Sequence, residues 1–191
     1  MLQMIIKHTP LSGLLVIEPI CHQDVRGLFL ETYNSDRYYD AGIVDTFVQD
    51  NQSRSVKGVL RGMHYQVKRP QAQIVTVIRG WIFDAVVDLR QSSPSFGKWY
   101  GTELHDDGPR QIYMAPGFAH GFCVLSDWAD LHYKVSCNYD AHDEGGLHWN
   151  DFDVGIKWPY SNPIVNARDE SYAPLKNLIS SRLPHLNADR L

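Results

Sequence analysis

The chain alternates short apolar stretches with clusters of Gly, Pro, Asp and Ser, and the apolar stretches are rich in Val, Ile, Phe and Tyr. Runs of β-branched and aromatic residues bounded by turn formers predict strands rather than long helices. The segments "LLVIEPI", "GLFLETY", "TFVQDNQS", "GVLRGMHYQ", "QIVTVIRG", "WIFDAVVDLR", "KWYGTELH", "RQIYMAPG", "HGFCVLSD" and "ADLHYKVSC" follow one another at intervals of about eight to fourteen residues, the spacing of a sandwich or barrel. An antiparallel chain of this kind protects its edges as a double-sheet jelly roll or a closed barrel, with ligands held in the mouth between the sheets. The predicted class is therefore all-β, a jelly roll or closed barrel with short peripheral helices. "SDRYYDAG" predicts a helical turn or two, opened by Ser35 or Asp36 and stopped by Gly42, and "YAPLKNLISSRL" predicts a short helix in the tail. No linker, repeat or low-complexity segment interrupts the pattern, so a single domain over residues 1–191 is expected, with N-terminal strands and a C-terminal tail packing on it.

With 191 residues, 43% of them hydrophobic, the chain can bury a substantial core. Its net charge of -4 provides no basic field for nucleic acid or an anionic membrane, so neither is expected as a partner. An anionic ligand must be met by a few placed arginines. The N-terminal apolar stretches are broken by Lys7, His8, Pro10 and Gly13 and lack a small-residue cleavage site. No signal peptide is expected, no apolar run approaches the roughly 18 to 20 residues of a membrane span, and a soluble cytoplasmic protein is the expectation. Cys21, Cys123 and Cys137 are odd in number and lack CxxC spacing, which predicts thiols rather than a disulfide framework or a zinc knuckle.

In "RGMHYQ" a period of two puts Arg61, Met63 and Tyr65 on one face of a strand and His64 and Gln66 on the other, with Gly62 a candidate bulge. Jelly-roll metalloenzymes place two histidines two apart with a carboxylate soon after. Here position 66 is Gln and no Glu follows until Glu103, so no metal is expected. His64 reads either as a histidine satisfied in the core or as a proton carrier, because imidazole titrates near neutrality and a carboxylate partner fixes its tautomer. Asp169, in "NARDES", is a candidate partner. "HYKVSCNYD" offers the phenols of Tyr133 and Tyr139, one of which could return a proton opposite a base. In "RGLFLE", Arg26, Phe29 and Glu31 form a pattern able to clamp a phosphate, stack a planar ring and accept a hydrogen bond. His120 stands between Gly117 and Gly121, where backbone approaches something closely.

The ordered series "FVQDNQSRSVKGVLRGMHYQ", "SPSFGKWYG", "PGFAHGFCVLSD", "YKVSCNY" and "WNDFDVGIKWP" resembles the nucleotide-sugar 3,5-epimerases. The resemblance implies a cupin-type jelly roll, a homodimer, no metal or cofactor, and epimerisation beside the C4 ketone of a dTDP-linked 4-keto-6-deoxyhexose in deoxysugar biosynthesis. The family's base falls on His64, its orienting aspartate on Asp169 and its proton-donating tyrosine on Tyr133. The thymine-stacking tyrosine matches Tyr139, and nucleotide and sugar contacts match Arg26, Glu31, Gln49, Asn51, Arg61, His120 and Glu144. A lysine before the final aspartate is Arg168 here, which keeps the charge and changes the donor geometry. A second family lysine, which helps stabilise the enolate oxygen, is replaced by Gln73 in "QAQIV". Lys68 and Arg69 are candidates to reach that oxygen instead, as are Arg61 and His120. Gln73 keeps open an epimerase of one carbon, one acting on another nucleotide sugar, and a sugar-nucleotide-binding module without chemistry; a metal-dependent cupin is disfavoured by Gln66.

Overall fold

The computed structural model describes residues 4–185. Two antiparallel sheets lie face to face. In spatial order the first consists of β1 (Ile5–His8), β2 (Leu14–Glu18), β10 (Gln111–Met114), β7 (Gln73–Arg79), β12 (Trp128–Val135) and β5 (Gln49–Val56). The second consists of β13 (Glu144–Gly146), β6 (Leu60–Gln66), β11 (Phe118–Val124), β8 (Trp81–Asp88) and β9 (Trp99–His105). A detached hairpin, β3 (Cys21–Asp24) and β4 (Gly27–Leu30), pairs with neither. This is the cupin-type double-sheet jelly roll that the strand spacing and the resemblance led us to expect.

Val16, Val75, Val77, Ile112 and Leu131 of the first sheet meet Ile82, Val86, Leu104, Phe122 and Val124 of the second in the central core. Each such side chain, fully buried, stabilises the fold by about 1.5–3 kcal/mol relative to exposure. The outer faces are covered as well. Tyr38 of α1 (Ser35–Asp40) and Ile43 lie over Leu15, Ile17, Ile74 and Tyr113. Leu147, Val154, Leu175, Leu178 and Leu183 lie over Met63, Tyr65, Ala85 and Val87. Strands buried on both faces read as continuous apolar runs rather than alternating ones, which is why "LLVIE" and "WIFDAVVD" show so little period-two contrast.

The elements differ from expectation at their ends. α1 is capped by Asn34, whose side chain accepts the Arg37 N–H at 3.2 Å, one residue before the expected Ser35 and two before Asp36. Gly42, at φ +88°, follows its end as anticipated. The tail forms two separate 3₁₀ turns, Leu175–Asn177 and Ser180–Arg182, instead of a helix. External partners hold it: Asp151 Oδ2 accepts the Leu175 N–H and Val67 O, just past the end of β6, accepts the His185 N–H at 2.7 Å. A short helix, α2 (Ala167–Glu170), was not foreseen and is capped by Asn166. None of the three cysteines is in a disulfide. No helix among the described residues is long and apolar enough to cross a membrane.

Candidate active site

The site begins with a backbone irregularity in β6. Gly62 has φ +137°, and a Cβ there would lie 2.5 Å from Gly121 Cα on β11. Only glycine allows this approach, and the β6–β11 register shifts between His120 and Phe122 beside it. The shift changes which face Arg61 presents. The period-two reading grouped Arg61 with Met63 and Tyr65, but Met63 packs into the outer core while Arg61 lines the same inner cavity as His64. A bulge displaces the alternation by one residue, and Gly62 supplies it.

The cavity, about 290 Å³, opens between the sheets. Gln49 and Asn51 of β5, Gln73 of β7 and Tyr133 of β12 line it from the first sheet, and Arg61 and His64 of β6 and His120 of β11 from the second. Tyr139, Glu144 and Arg168 complete its rim. The structure thus gathers into one cavity ten of the sequence-derived site residues, with Asp169 directly behind His64.

His64 Nε2 lies 2.9 Å from Asp169 Oδ1. Asp169 is fully buried, its N–H is held by the Asn166 cap at 2.7 Å, and its Oδ2 accepts the Gly62 N–H at 3.0 Å. Burial alone would raise the Asp169 carboxyl, but hydrogen bonds from His64, Gly62 and Arg168 hold it below the ordinary carboxylate range. Arg168 Nη2 also stands 3.2 Å from His64 Nε2. The two neighbours compete for one ring atom, and the shorter contact to a buried, ionised carboxylate decides the tautomer: Nε2 donates to Asp169, which leaves Nδ1 with its lone pair.

The other groups are also held. Glu144 accepts from the Tyr139 hydroxyl at 2.6 Å and the Tyr172 hydroxyl at 2.9 Å, and pairs with Arg168 Nη1 at 2.7 Å. The Gln49 amide donates to Asn51 Oδ1 at 2.7 Å and accepts the Tyr139 N–H at 3.0 Å. Arg61 Nε donates to Ser55 Oγ at 2.9 Å. His120 Nε2 lies 2.7 Å from Asp84 Oδ2, a second imidazole–carboxylate pair whose carboxylate is fully buried. Burial pushes the Tyr133 phenol up, so it stays protonated and able to donate at neutral pH.

Other sequence candidates stand elsewhere. Arg26, Phe29 and Glu31 belong to the detached hairpin and the turn after it and do not line this chain's cavity. Arg26 pairs with Asp24 and Glu31 with Arg37. Lys68 and Arg69 also fall outside: their N–H groups bind the Asp143 carboxylate, and the Arg69 guanidinium reaches toward Asp140. Gln66, where a metal-binding jelly roll would want a histidine, uses its amide to accept the Asp140 N–H and donate to the Asp140 carbonyl, both at 3.1 Å. Among the described residues no group of His, Cys, Asp and Glu is placed to hold a metal ion. Sequence reasoning missed Asp84 and Tyr172. Asp84 had a signal, an acid in the middle of an apolar strand; Tyr172 had none.

The sequence profile of dTDP-4-dehydrorhamnose 3,5-epimerase matches residues 8–177. A dTDP-4-dehydrorhamnose 3,5-epimerase from Methanothermobacter thermautotrophicus is 43% identical over 171 residues, 88% of this chain and 92% of that protein. A dTDP-4-dehydrorhamnose 3-epimerase from Streptomyces niveus is 43% identical over 84% of this chain and 78% of its own length. The crystal structure of dTDP-6-deoxy-D-glucose-3,5-epimerase from Legionella pneumophila, in complex with dTDP-4-keto-L-rhamnose, superposes with a TM-score of 0.93 at 41% identity, covering 97% of this chain and 100% of that one. With a profile match over most of its length and relatives of this similarity, the chain belongs to the dTDP-4-dehydrorhamnose 3,5-epimerase family of isomerases.

Proposed function

We propose that this chain epimerises C3, C5 or both in a dTDP-linked 4-keto-6-deoxyhexose. The observation that carries the reading is that His64 on one sheet and Tyr133 on the facing sheet line the same cavity, with His64 held by the buried Asp169. A hydrogen beside a ketone is weakly acidic, and its removal needs a base on one side, donors for the developing oxyanion and an acid on the other side. His64 Nδ1 takes the proton from the carbon next to C4, and the electron pair moves onto the C4 oxygen. The Tyr133 phenol then delivers a proton to the opposite face of that carbon. The configuration inverts with no change in oxidation state, so no step calls for an electron carrier. Arg61, His120 and Gln73 are the donors assigned to the oxyanion. Tyr139, about half exposed at the rim, offers its ring to the thymine, while Gln49, Asn51, Glu144 and Arg168 position the rest of the nucleotide sugar.

The working form in this proposal is a cytoplasmic homodimer. The detached hairpin exposes Val25, Leu28 and Phe29, an apolar arm that pairs with neither sheet and would deliver Arg26, Phe29 and Glu31 to a partner's cavity. The whole chain is proposed to work as one domain.

A second reading, epimerisation of a single carbon, is favoured by Gln73 in the cavity wall and by the similarity to a 3-epimerase. Incubation with dTDP-4-keto-6-deoxyglucose in deuterated water, followed by NMR, separates the readings. Deuterium at both C3 and C5 supports the double epimerase, deuterium at one carbon the single one, and tight dTDP binding without exchange would overturn both.

A further inference from the structure

We propose that Tyr172 is a positioning residue for the proton-abstracting histidine, holding the His64 imidazole in the one orientation that joins Asp169 behind it to the cavity in front. The proposal rests on the epimerase reading of the site. Three independent observations support it. The Tyr172 ring stands against the His64 ring at 5.9 Å between centroids and 76°, the edge-to-face geometry in which one ring restrains rotation of the other. Its hydroxyl donates to Glu144 Oε1 at 2.9 Å, which fixes the far end of the tyrosine. On β13, directly across from His64, position 146 is glycine, and any Cβ there would overlap the Tyr172 ring.

A histidine hydrogen-bonded through one nitrogen can still rock about that bond. Asp169 restrains His64 at Nε2 and says nothing about the angle of the ring plane. Tyr172 supplies the missing constraint from a perpendicular direction. The segment carrying it is pinned on both sides, with Asp169 capped by Asn166 and Ala173 O accepting the His148 N–H at 3.0 Å. Tyr172 does not line the cavity, and burial together with the Glu144 hydrogen bond pushes its phenol up. Its hydroxyl is thereby kept protonated and committed to Glu144.

The test compares Tyr172→Phe, which keeps the ring, with Tyr172→Ala, which removes it, each checked for folding by thermal melt. Tyr172→Leu fills the volume without a ring and replaces the alanine variant if that unfolds. Two readouts are taken: the ¹⁵N spectrum of the His64 imidazole without ligand, and exchange of substrate protons with deuterated water. In the parent and in Tyr172→Phe we expect one tautomer, with the proton on Nε2. In Tyr172→Ala we expect the proton still on Nε2 but imidazole signals broadened by rocking of the ring plane, and a kcat for exchange about ten- to a hundredfold lower, the scale of a misplaced reacting group, with KM within about threefold and substantial rescue by phenylalanine. A folded Tyr172→Ala protein with the parent's His64 spectrum overturns the proposal, as does a phenylalanine variant whose spectrum is as broadened as alanine's. A parent protein that exchanges nothing refutes the epimerase reading, and the imidazole spectrum then decides the positioning role by itself.

Discussion

Gly62 and Gly121 cross so closely that a Cβ on the first would lie 2.5 Å from the Cα of the second. The crossing makes the bulge that turns Arg61 toward His64, and it aims the Gly62 N–H at Asp169. Gly62→Ala must therefore suffer twice, from a side chain at φ +137° and from backbone overlap. We expect a loss of about 2–6 kcal/mol of stability, the sum of typical strain and overpacking costs, and no measurable epimerisation. Denaturant unfolding checks the first, and a variant as stable as the parent would show that the strands can separate here at little cost.

Asp169→Asn tests the support behind the base. An amide can present its N–H to Nε2 and reverse the tautomer, so the exchange rate should fall by about 10²–10⁴-fold, the range of general acid–base contributions. The substitution also carries a pH signature. The folded-state pKa of Asp169 lies below its unfolded value, so its contribution to stability is complete above the ordinary carboxylate range, near pH 4, and is lost as pH falls through the depressed value. Urea midpoints measured from neutral pH downward should fall less steeply in Asp169→Asn than in the parent. Equal slopes would contradict the assignment.

Away from the cavity, Asp88 and Arg90 form a buried pair. Asp88 Oδ1 accepts Arg90 Nε at 2.8 Å, Oδ2 accepts Arg90 Nη2 at 2.7 Å, and the hydroxyls of Ser93 and Ser95 both reach Oδ2 at 2.6 Å. Asp88→Ala leaves a buried guanidinium unpaired, which costs about 3–5 kcal/mol. Thermal melting should show the loss, while exchange per folded molecule stays near the parent's because Asp88 does not line the cavity.

Gln73 places a neutral amide in a wall that the family resemblance fills with a cation. Hydrogen bonds from charged donors are worth about 1 kcal/mol more than neutral ones, so Gln73→Lys should raise the exchange kcat by about fivefold. Single-turnover kinetics would read the chemical step directly. An unchanged or lower rate would mean that Arg61 and His120 already satisfy the oxyanion.

Local chemistry made most strands legible in the sequence, because each quoted apolar run carries its own β-forming residues and its own turn formers, while β1 (IIKH) and β3 (CHQD) fall outside those runs. β13 was not legible: "EGG" has no strand signal, and it pairs because Gly145 and Gly146 leave room for the rings of Tyr65 and Tyr172. The same holds for the site. His64 was visible as a polar residue between glycine-rich and apolar stretches, but its partner lies 105 residues away, and only the resemblance joined them. The face of Arg61 was misread because, although Gly62 marks a candidate bulge in the sequence, the register that such a bulge shifts is set by the opposing strand around Gly121. The placement of Arg26, Phe29 and Glu31 on a detached hairpin depends on long-range packing that no local pattern encodes.

The central claim is that His64 removes a proton beside the C4 ketone. NMR of dTDP-4-keto-6-deoxyglucose in deuterated water, with the parent protein and with His64→Ala side by side, tests it most directly. The parent should introduce deuterium at a carbon flanking the ketone, and His64→Ala should do so at least about 10²-fold more slowly; exchange at the parent's rate in the His64→Ala protein would contradict the account.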